Sequence, residues 1–372
     1  MAAPGQAENR PAEKGGRDAG RRPRGGIPSR DPDTARRRGG DGDPFRAPLP
    51  GEAVRRPRSD ERGIALLVTL LVLVLVVALS YEIFRLGTRS AQTGAYGRDS
   101  IRCTLLAEAG VGAARIVLRQ DAKENAFDTL DEIWSRAAPP IELGDGVIRV
   151  VVEDEERKFN LNRLILPNGN APDEQRLAVF RRLLETLGID GSVADAVVDW
   201  LDNDDAPRVG GAESAYYRGL PYPYRSKNDL FDTIEELRLV RGVSRDVFEK
   251  LRPFVAVHSS GAVNVNTAPR EILVSLSAGG DMAEGGSISP ATADQIVSYR
   301  SDHPFTRTEE IGNVSPSLRE LYRRTRIRDL IGVRSTAFHV RSTGEVGGTE
   351  RTVDAVGFRS GNEIQWRFWR LE

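Results

Sequence analysis

The chain has 372 residues, 39% of them apolar and 29% charged, with a formal net charge of −1. That is length enough for two or three modules, and near-neutrality excludes a protein whose whole surface grips nucleic acid. A single cysteine, Cys103, excludes an intrachain disulfide and a cysteine zinc site. His258, His303 and His339 lie far apart in sequence and leave little for histidine metal chemistry or a hydrolytic triad.

Residues 1–62 are rich in Gly, Pro, Arg, Asp and Ala, with 15 Lys/Arg against 10 Asp/Glu. So little apolar surface cannot offset chain entropy, so a disordered basic leader is predicted over 1–63. The composition then switches. Gly63 to Tyr81 is uncharged, and Ile64 to Leu79 is apolar apart from Thr69. At 1.5 Å per residue this run makes about 28 Å of helix, one hydrocarbon thickness. Being apolar on every face, it predicts a single membrane span over 64–81 rather than a core helix. Five arginines from Arg46 to Arg62 against three from Arg85 to Arg98 place the N-terminus in the cytoplasm and the C-terminal part outside. The run exceeds a signal-peptide core and is followed by Ser80-Tyr81-Glu82, not by a small-residue cleavage pattern. Its start, Glu61-Arg62-Gly63-Ile64-Ala65-Leu66, resembles the type IV prepilin cleavage site. That resemblance implies that a membrane aspartyl protease, the prepilin peptidase, cuts after Gly63 and methylates the new amine on Ile64.

Beyond the span, Ile101, Leu105, Ala109, Gly112 and Ile116 recur at helical spacing, predicting a spine helix that packs through that stripe. Strand signals come in two pieces. Ile148, Val150 and Val152 share a face in Gly146–Glu153. Near the C-terminus Phe338 and Val340 alternate, Val353–Phe358 follows Gly347-Gly348, and Ile364, Trp366 and Phe368 alternate last. The spine and first strands occupy 82–156 and the closing strands 332–372, so a module is inserted between them over 157–331.

The insert reads as all-helical. Leu177, Phe180, Leu183, Leu184 and Leu187 stripe one helix that stops at Gly188, a left-handed C-cap. Val193, Val197 and Leu201 stripe the next. Ile234, Leu237 and Leu239 precede Gly242, and Val247, Phe248 and Leu251 follow it. A third pair opens at Asn264-Val-Asn-Thr267-Ala-Pro269, with Thr267 as cap and Pro269 in the first turn, and continues from Pro290 to Tyr299. Helix, short turn, helix, three times over, is a helix-hairpin-helix arrangement.

Several segments then resemble one family. They are Phe159-Asn-Leu-Asn162, Val198-Asp-Trp-Leu-Asp202-Asn-Asp204, Gly210-Gly-Ala-Glu213-Ser-Ala-Tyr216-Tyr217, Glu236-Leu-Arg-Leu-Val-Arg-Gly242 and Val263-Asn-Val-Asn-Thr-Ala-Pro269. In this order they are similar to minor pseudopilin K of type II secretion, the general secretion pathway protein K family, from about Arg62 to the end. The long leader departs from the family's short one. The resemblance implies an α+β fold of the type IV pilin kind: a long N-terminal helix on an antiparallel sheet, here with the inserted helical domain. It implies a non-enzymatic subunit of the inner membrane with periplasmic C-terminal domains, capping the pseudopilus tip and helping initiate its assembly. The implied partners are other minor pseudopilins, the secretion machinery and the prepilin peptidase. Most pilin-like subunits carry a glutamate four residues after the cleavage point, and here that position is Val68. A carboxylate in lipid is costly unless it meets a cation, so its absence fits a subunit with no neighbour beyond it.

The acidic run Asp199, Asp202, Asp204 and Asp205, with Glu213 following, is the candidate metal site. Clustered carboxylates can supply the six to eight oxygens calcium takes, but the spacing is not that of an EF-hand. From the residues alone a cation site and a solvated acidic loop are both open; the resemblance implies calcium. Two other functions compete. A membrane-anchored helix-hairpin-helix DNA-binding protein would need free hairpin amides and nearby cations. Here the turns Gly188-Ile-Asp190-Gly191 and Gly242-Val-Ser244 add an aspartate or lose a glycine, the loop Ser277–Ser289 carries Asp281 and Glu284, and Arg157–Leu330 has 23 Lys/Arg against 25 Asp/Glu. A phosphate partner is poorly served, and no nucleic acid is expected. A tethered hydrolase would need a nucleophile elbow or a partnered histidine, and neither is visible.

Overall fold

The computed structural model describes residues 59–169, 171–276 and 286–372. The predicted leader up to residue 58 and the acidic loop around Asp281 and Glu284 lie outside the described residues. The first helix, α1 (Ser59–Glu124), is continuous for 66 residues. Its apolar part, Ile64–Leu79, is exposed throughout. Among the described residues it is the one helix long and apolar enough to cross a membrane. A helix suits lipid because every backbone group is satisfied within the segment.

The chain continues through β1 (Ile141–Leu143) and β2 (Gly146–Asp154), a hairpin turned at Gly144, whose φ is +65°. The insert follows: β3 (Phe159–Asn160), α2 (Glu174–Thr186), α3 (Ser192–Leu201), α4 (Ser214–Arg218), α5 (Arg245–Leu251), β4 (Val255–Ala256), β5 (Val263–Asn264), α6 (Arg270–Ser275), α7 (Pro290–Asp302), α8 (Pro316–Arg324) and β6 (Ile331–Gly332). The chain closes with β7 (Ala337–Val346), β8 (Thr349–Ser360) and β9 (Glu363–Leu371). The main sheet is antiparallel with order β1-β2-β7-β8-β9. The strands β2 and β7 pair with Asp154 opposite Phe338, so the insert leaves and returns at neighbouring points.

The spine helix packs on the sheet, but not through the predicted stripe. Ile101, Leu105, Ala109, Gly112 and Ile116 are all exposed, Ile101 by 64% and Ile116 by 68%. The buried stripe is Cys103, Ala107, Gly110, Val111, Ala114 and Leu118. Both stripes have helical period, so periodicity cannot choose between them. Size decides: a helix lies flat on a sheet where its residues are small. A Cβ at Gly110 would stand 2.1 Å from Ser342 Oγ, and one at Gly344 would stand 2.2 Å from the Cys103 carbonyl oxygen. Ala107, Val111, Ala114 and Leu118 share a core with Trp134, Phe338, Val340, Val353, Ala355 and Ile364, and Val150 and Val152 pack on it.

The last strand also differs from its predicted alternation. Val356 faces Phe368 and Gly357 faces Trp366, which leaves Arg367 without an opposite residue. This bulge turns Phe368 to the other face of the sheet from Trp366, where its ring centroid lies 5.8 Å from that of His258.

The insert has its own core, including Phe159, Leu177, Phe180, Leu184, Val197, Leu201, Tyr217, Leu251, Ile272 and Ile296. Asp173 caps α2 by accepting from the amides of Gln175 and Arg176, and Gly188 ends it at φ +65° as predicted. Three expectations need correction. The insert is not all-helical, since β3 pairs with β4 and β5 with β6, each in parallel, where buried backbone needs partners. And Ile234–Leu239 is a 3-10 helix, not an α-helix. Pro269 is the N-cap of α6, and the Thr267 hydroxyl donates elsewhere, to Asp154.

Candidate functional site

Among the described residues, three groups of carboxylate or imidazole side chains gather ligand-type atoms within 4.8 Å of one another: Glu153, Glu155 and His339; Asp121, Asp128 and Glu132; and Asp199, Asp202 and Glu213. The first two are already neutralised. The Lys158 ammonium lies 2.7 Å from Glu153 and 2.9 Å from Glu155. Arg359, itself buried, spans Asp121 at 2.7 Å and Asp128 at 2.8 Å. The third group has no such partner: among the described residues none of its members forms an ion pair.

Three elements build that group. Val193, Val197 and Trp200 hold α3 in the core, and the same helix presents Asp199 inward on its last turn and Asp202 at its C-cap. Carboxylates at a helix C-terminus face the negative end of its dipole, which raises their need for a cation. The loop beyond folds back to bring Glu213 in. Gly211 permits this, because a Cβ there would stand 1.9 Å from Asp199 Oδ2. Asn228, in the left-handed region at φ 50°, fixes the loop by donating from Nδ2 to the Asp204 carbonyl at 2.8 Å; Asn tolerates that conformation. The backbone N–H of Arg208 donates to Asp199, and Ser226 Oγ donates to Glu213 Oε2 at 3.1 Å.

Two oxygens in the group have no hydrogen-bond partner, although both are buried: Asp202 Oδ1 and Glu213 Oε1. Burial, then the charges of Asp204 and Asp199, push the Asp202 carboxyl up to about 6. Burial, with Asp199, Asp202 and Asp205 adding to it, pushes Glu213 up to about 7. Burial raises Asp199 as well. Unpaired buried carboxylate oxygens are costly and call for a ligand. Hard carboxylate donors suit calcium or magnesium. Of the five predicted ligands, the structure brings together Asp199, Asp202 and Glu213. Asp204 and Asp205 are exposed outside that trio, and Asp204 Oδ1 accepts from the Ala206 amide instead. Gly63 and Ile64 lie exposed in the first turns of α1.

Sequence reasoning missed a second buried polar site, at the roots of the insert. Asp154 and Glu156, where the chain leaves β2, are almost fully buried. Asp154 Oδ2 accepts from Thr267 Oγ1 at 2.5 Å and Ser335 Oγ at 2.6 Å, and Oδ1 accepts from the Glu156 amide at 2.8 Å. Asn264 Nδ2 donates to Ser335 Oγ and to the Asp128 carbonyl. Asn266 exchanges hydrogen bonds with the Phe305 backbone. The Asn264-Val-Asn-Thr267 motif is therefore a clasp that ties insert to sheet, not a nucleic-acid hairpin. The available signal was a run of small polar residues alternating with Val263, Val265 and Ala268, every one of them buried.

A long N-terminal helix apolar enough at its start to cross a membrane, an antiparallel sheet packed on its C-terminal part and an inserted, mainly helical module define a pilin-like subunit. Residues 157–260 match the family model described as type II secretion system (T2SS), protein K. The type II secretion system protein K of Pseudomonas aeruginosa is 32% identical over 269 residues, covering 68% of this chain and 76% of the relative. That of Aeromonas hydrophila is 31% identical over 318 residues, covering 80% and 92%. A chain in the crystal structure of the GspK-GspI-GspJ complex from enterotoxigenic Escherichia coli shares the fold. Its TM-score is 0.60 at 18% identity, over 76% of this chain and 99% of that one. The chain belongs to the type II secretion system protein K family, and its role is that of a minor pseudopilin.

Proposed function

We propose that this minor pseudopilin caps the tip of the periplasmic pseudopilus and helps start its assembly, docking its neighbours through the outer stripe of α1. The observation that carries this reading is the two-faced spine. Cys103, Ala107, Val111 and Leu118 are used up on the sheet, while Ile101, Leu105 and Ile116 stay exposed beside the span. Apolar side chains in a row at helical spacing suit a neighbouring helix. The related complex pairs GspK with GspI and GspJ, which supports two further minor pseudopilins as the partners here. Val68 in place of the acidic residue supports a position with no subunit above it. The span supports a single-pass inner-membrane anchor with its N-terminus in the cytoplasm and cleavage by the prepilin peptidase between Gly63 and Ile64. The turn-linked α2 and α3, with Gly188 between them, support a helix-hairpin-helix ancestry for the insert.

Asp199, Asp202 and Glu213 would hold calcium, with Asp204 and Asp205 adding negative charge nearby. The ion would supply the positive charge that the buried, unpartnered oxygens lack and would fix the loop from Asn203 to Glu213 on α3. The role is structural, not catalytic.

The docking reading is tested with Leu105→Asp combined with Ile116→Asp. Both side chains are exposed, so the fold should survive with an unchanged unfolding temperature, while copurification with the other minor pseudopilins should be lost. Undiminished copurification would exclude this face as the docking surface.

A further inference from the structure

Asp154 and Glu156 sit side by side at the joint between sheet and insert, and their donors differ in kind. Glu156 accepts from the amides of Ser260 at 3.0 Å and Ala337 at 2.9 Å and from Thr336 Oγ1 at 2.6 Å. The two amides cannot reverse, so this site is built for a carboxylate. Asp154 Oδ2 meets the hydroxyls of Thr267 and Ser335 closely, and these can turn round, while the Asn264 amide reaches it only at 3.4 Å. A proton on Oδ2 could be donated to Thr267 Oγ1, whose own proton then turns to the Asn264 carbonyl at 3.4 Å. Both protonation states of Asp154 can therefore be satisfied by hydrogen bonds, but only the neutral one avoids a second buried charge beside Glu156.

No compensating cation is at hand. Among the described residues neither Asp154 nor Glu156 forms an ion pair. Arg359 reaches the Ser335 carbonyl at 3.4 Å but is spent on Asp121 and Asp128, and Asp128 itself accepts from the Ser335 amide. Lys158 is held by Glu153 and Glu155. Arg300 of α7 donates to the carbonyls of Val265 and Ala268. Burial raises both carboxyls, and Asp154, which also feels the charge of Glu156, is pushed up to about 7; the three donors on Glu156 pull it back towards the ionised form.

We propose that Asp154 is a proton-operated lock on the joint between sheet and insert: the clasp to Thr267, Ser335 and Asn264 is closed with a proton on Asp154 and loosens as that proton leaves to solvent. The lock goes beyond the tip reading and is independent of where in a filament the subunit sits. Its sign follows from linkage. A carboxyl whose pKa is higher in the closed state than in the open one binds its proton on closing, so closure weakens as pH rises.

The test is amide hydrogen exchange of the full chain in detergent micelles from about pH 4 to pH 8.5, corrected for intrinsic exchange. With one proton lost per opening between the ordinary aspartate value and the raised one, protection of the Ser260, Ser335 and Ala337 amides should fall roughly tenfold per pH unit from about pH 4 to about pH 7 and level off above it. Protection within α2, which carries neither Asp154 nor the acidic trio, should stay level. Asp154→Asn, which offers an N–H where the acid would offer its proton, should hold the joint closed across the range. A flat wild-type profile, an Asp154→Asn profile as steep as wild type, or loss spread equally through α2 would each overturn the lock. The wild-type slope decides the matter even if Asp154→Asn fails to fold.

Discussion

Chelating divalent ions should destabilise the protein more at alkaline than at acidic pH, and the acidic trio fixes the sign. Asp202 and Glu213 are pushed up to about 6 and about 7. Groups whose folded pKa is raised stabilise most when protonated, and that contribution is lost as pH rises through the folded value. In chelator, the unfolding temperature of the full chain in micelles should therefore fall from about pH 4 to about pH 7 and level off above it. Calcium should reverse the trend, because it binds the ionised form. At a hundredfold excess over its dissociation constant the gain is about 2.7 kcal/mol, or about 4 °C for a body of this size. The double variant Asp202→Asn with Glu213→Gln keeps the shape and removes the charge. It should be more stable than wild type in chelator at about pH 8, and calcium should no longer shift it. Thermal scans at four pH values, with calcium and with chelator, check this. Superimposed wild-type curves, or a double variant that still responds, would reduce the trio to a buried acidic cluster with no ion.

Other outcomes follow from geometry already described. Arg359→Met leaves Asp121 and Asp128 buried without a cation and should cost about 3–5 kcal/mol, measured by denaturant unfolding; a loss below 1 kcal/mol would mean that water reaches the pair. Gly110→Ala should cost about 1–3 kcal/mol by overpacking the helix on the sheet. Ser342→Ala in the same chain should recover part of it, since Ser342 Oγ is the nearest atom. Gly63→Val should block maturation in cells with the prepilin peptidase, and N-terminal sequencing should find Ile64 first in wild type only. An intact leader in the assembled complex would contradict that.

Much of the fold is legible because its signals are local. The span needs only apolar length, β2 only the alternation of Ile148, Val150 and Val152, and α2 only its stripe and Gly188. What fails does so where a choice depends on the partner surface. Two stripes on α1 have the same period, and the small residues opposite Gly344 win because a sheet demands close approach. Phe368 obeys alternation until the bulge at Arg367, which no composition announces. At the candidate site the acidic run stood out, but only tertiary folding tells Asp199, Asp202 and Glu213 from the exposed Asp204 and Asp205. Asp154 was invisible for a related reason: a carboxylate closing a strand reads as a surface residue until Thr267 and Ser335 arrive from far along the chain.

The pairing of Asp154 with Phe338 also sets an order of events in folding. Two strands that are neighbours in the sheet are separated in the chain by the whole insert. Closing so long a loop while it is unfolded costs about 2.5 kcal/mol more than closing one of ten residues, and pairings of that range form slowly. The cost vanishes if the insert collapses first on its own core, because its two roots are then held side by side before β7 arrives. The hairpin of β7 and β8, joined at Gly347-Gly348, can form at any time. The joining of β2 to β7 therefore comes late, and until it happens the small-residue face of α1 has no complete sheet to lie on. A chain newly anchored in its membrane would spend that interval with the spine bare on both sides, open to chaperones and proteases as well as to neighbours.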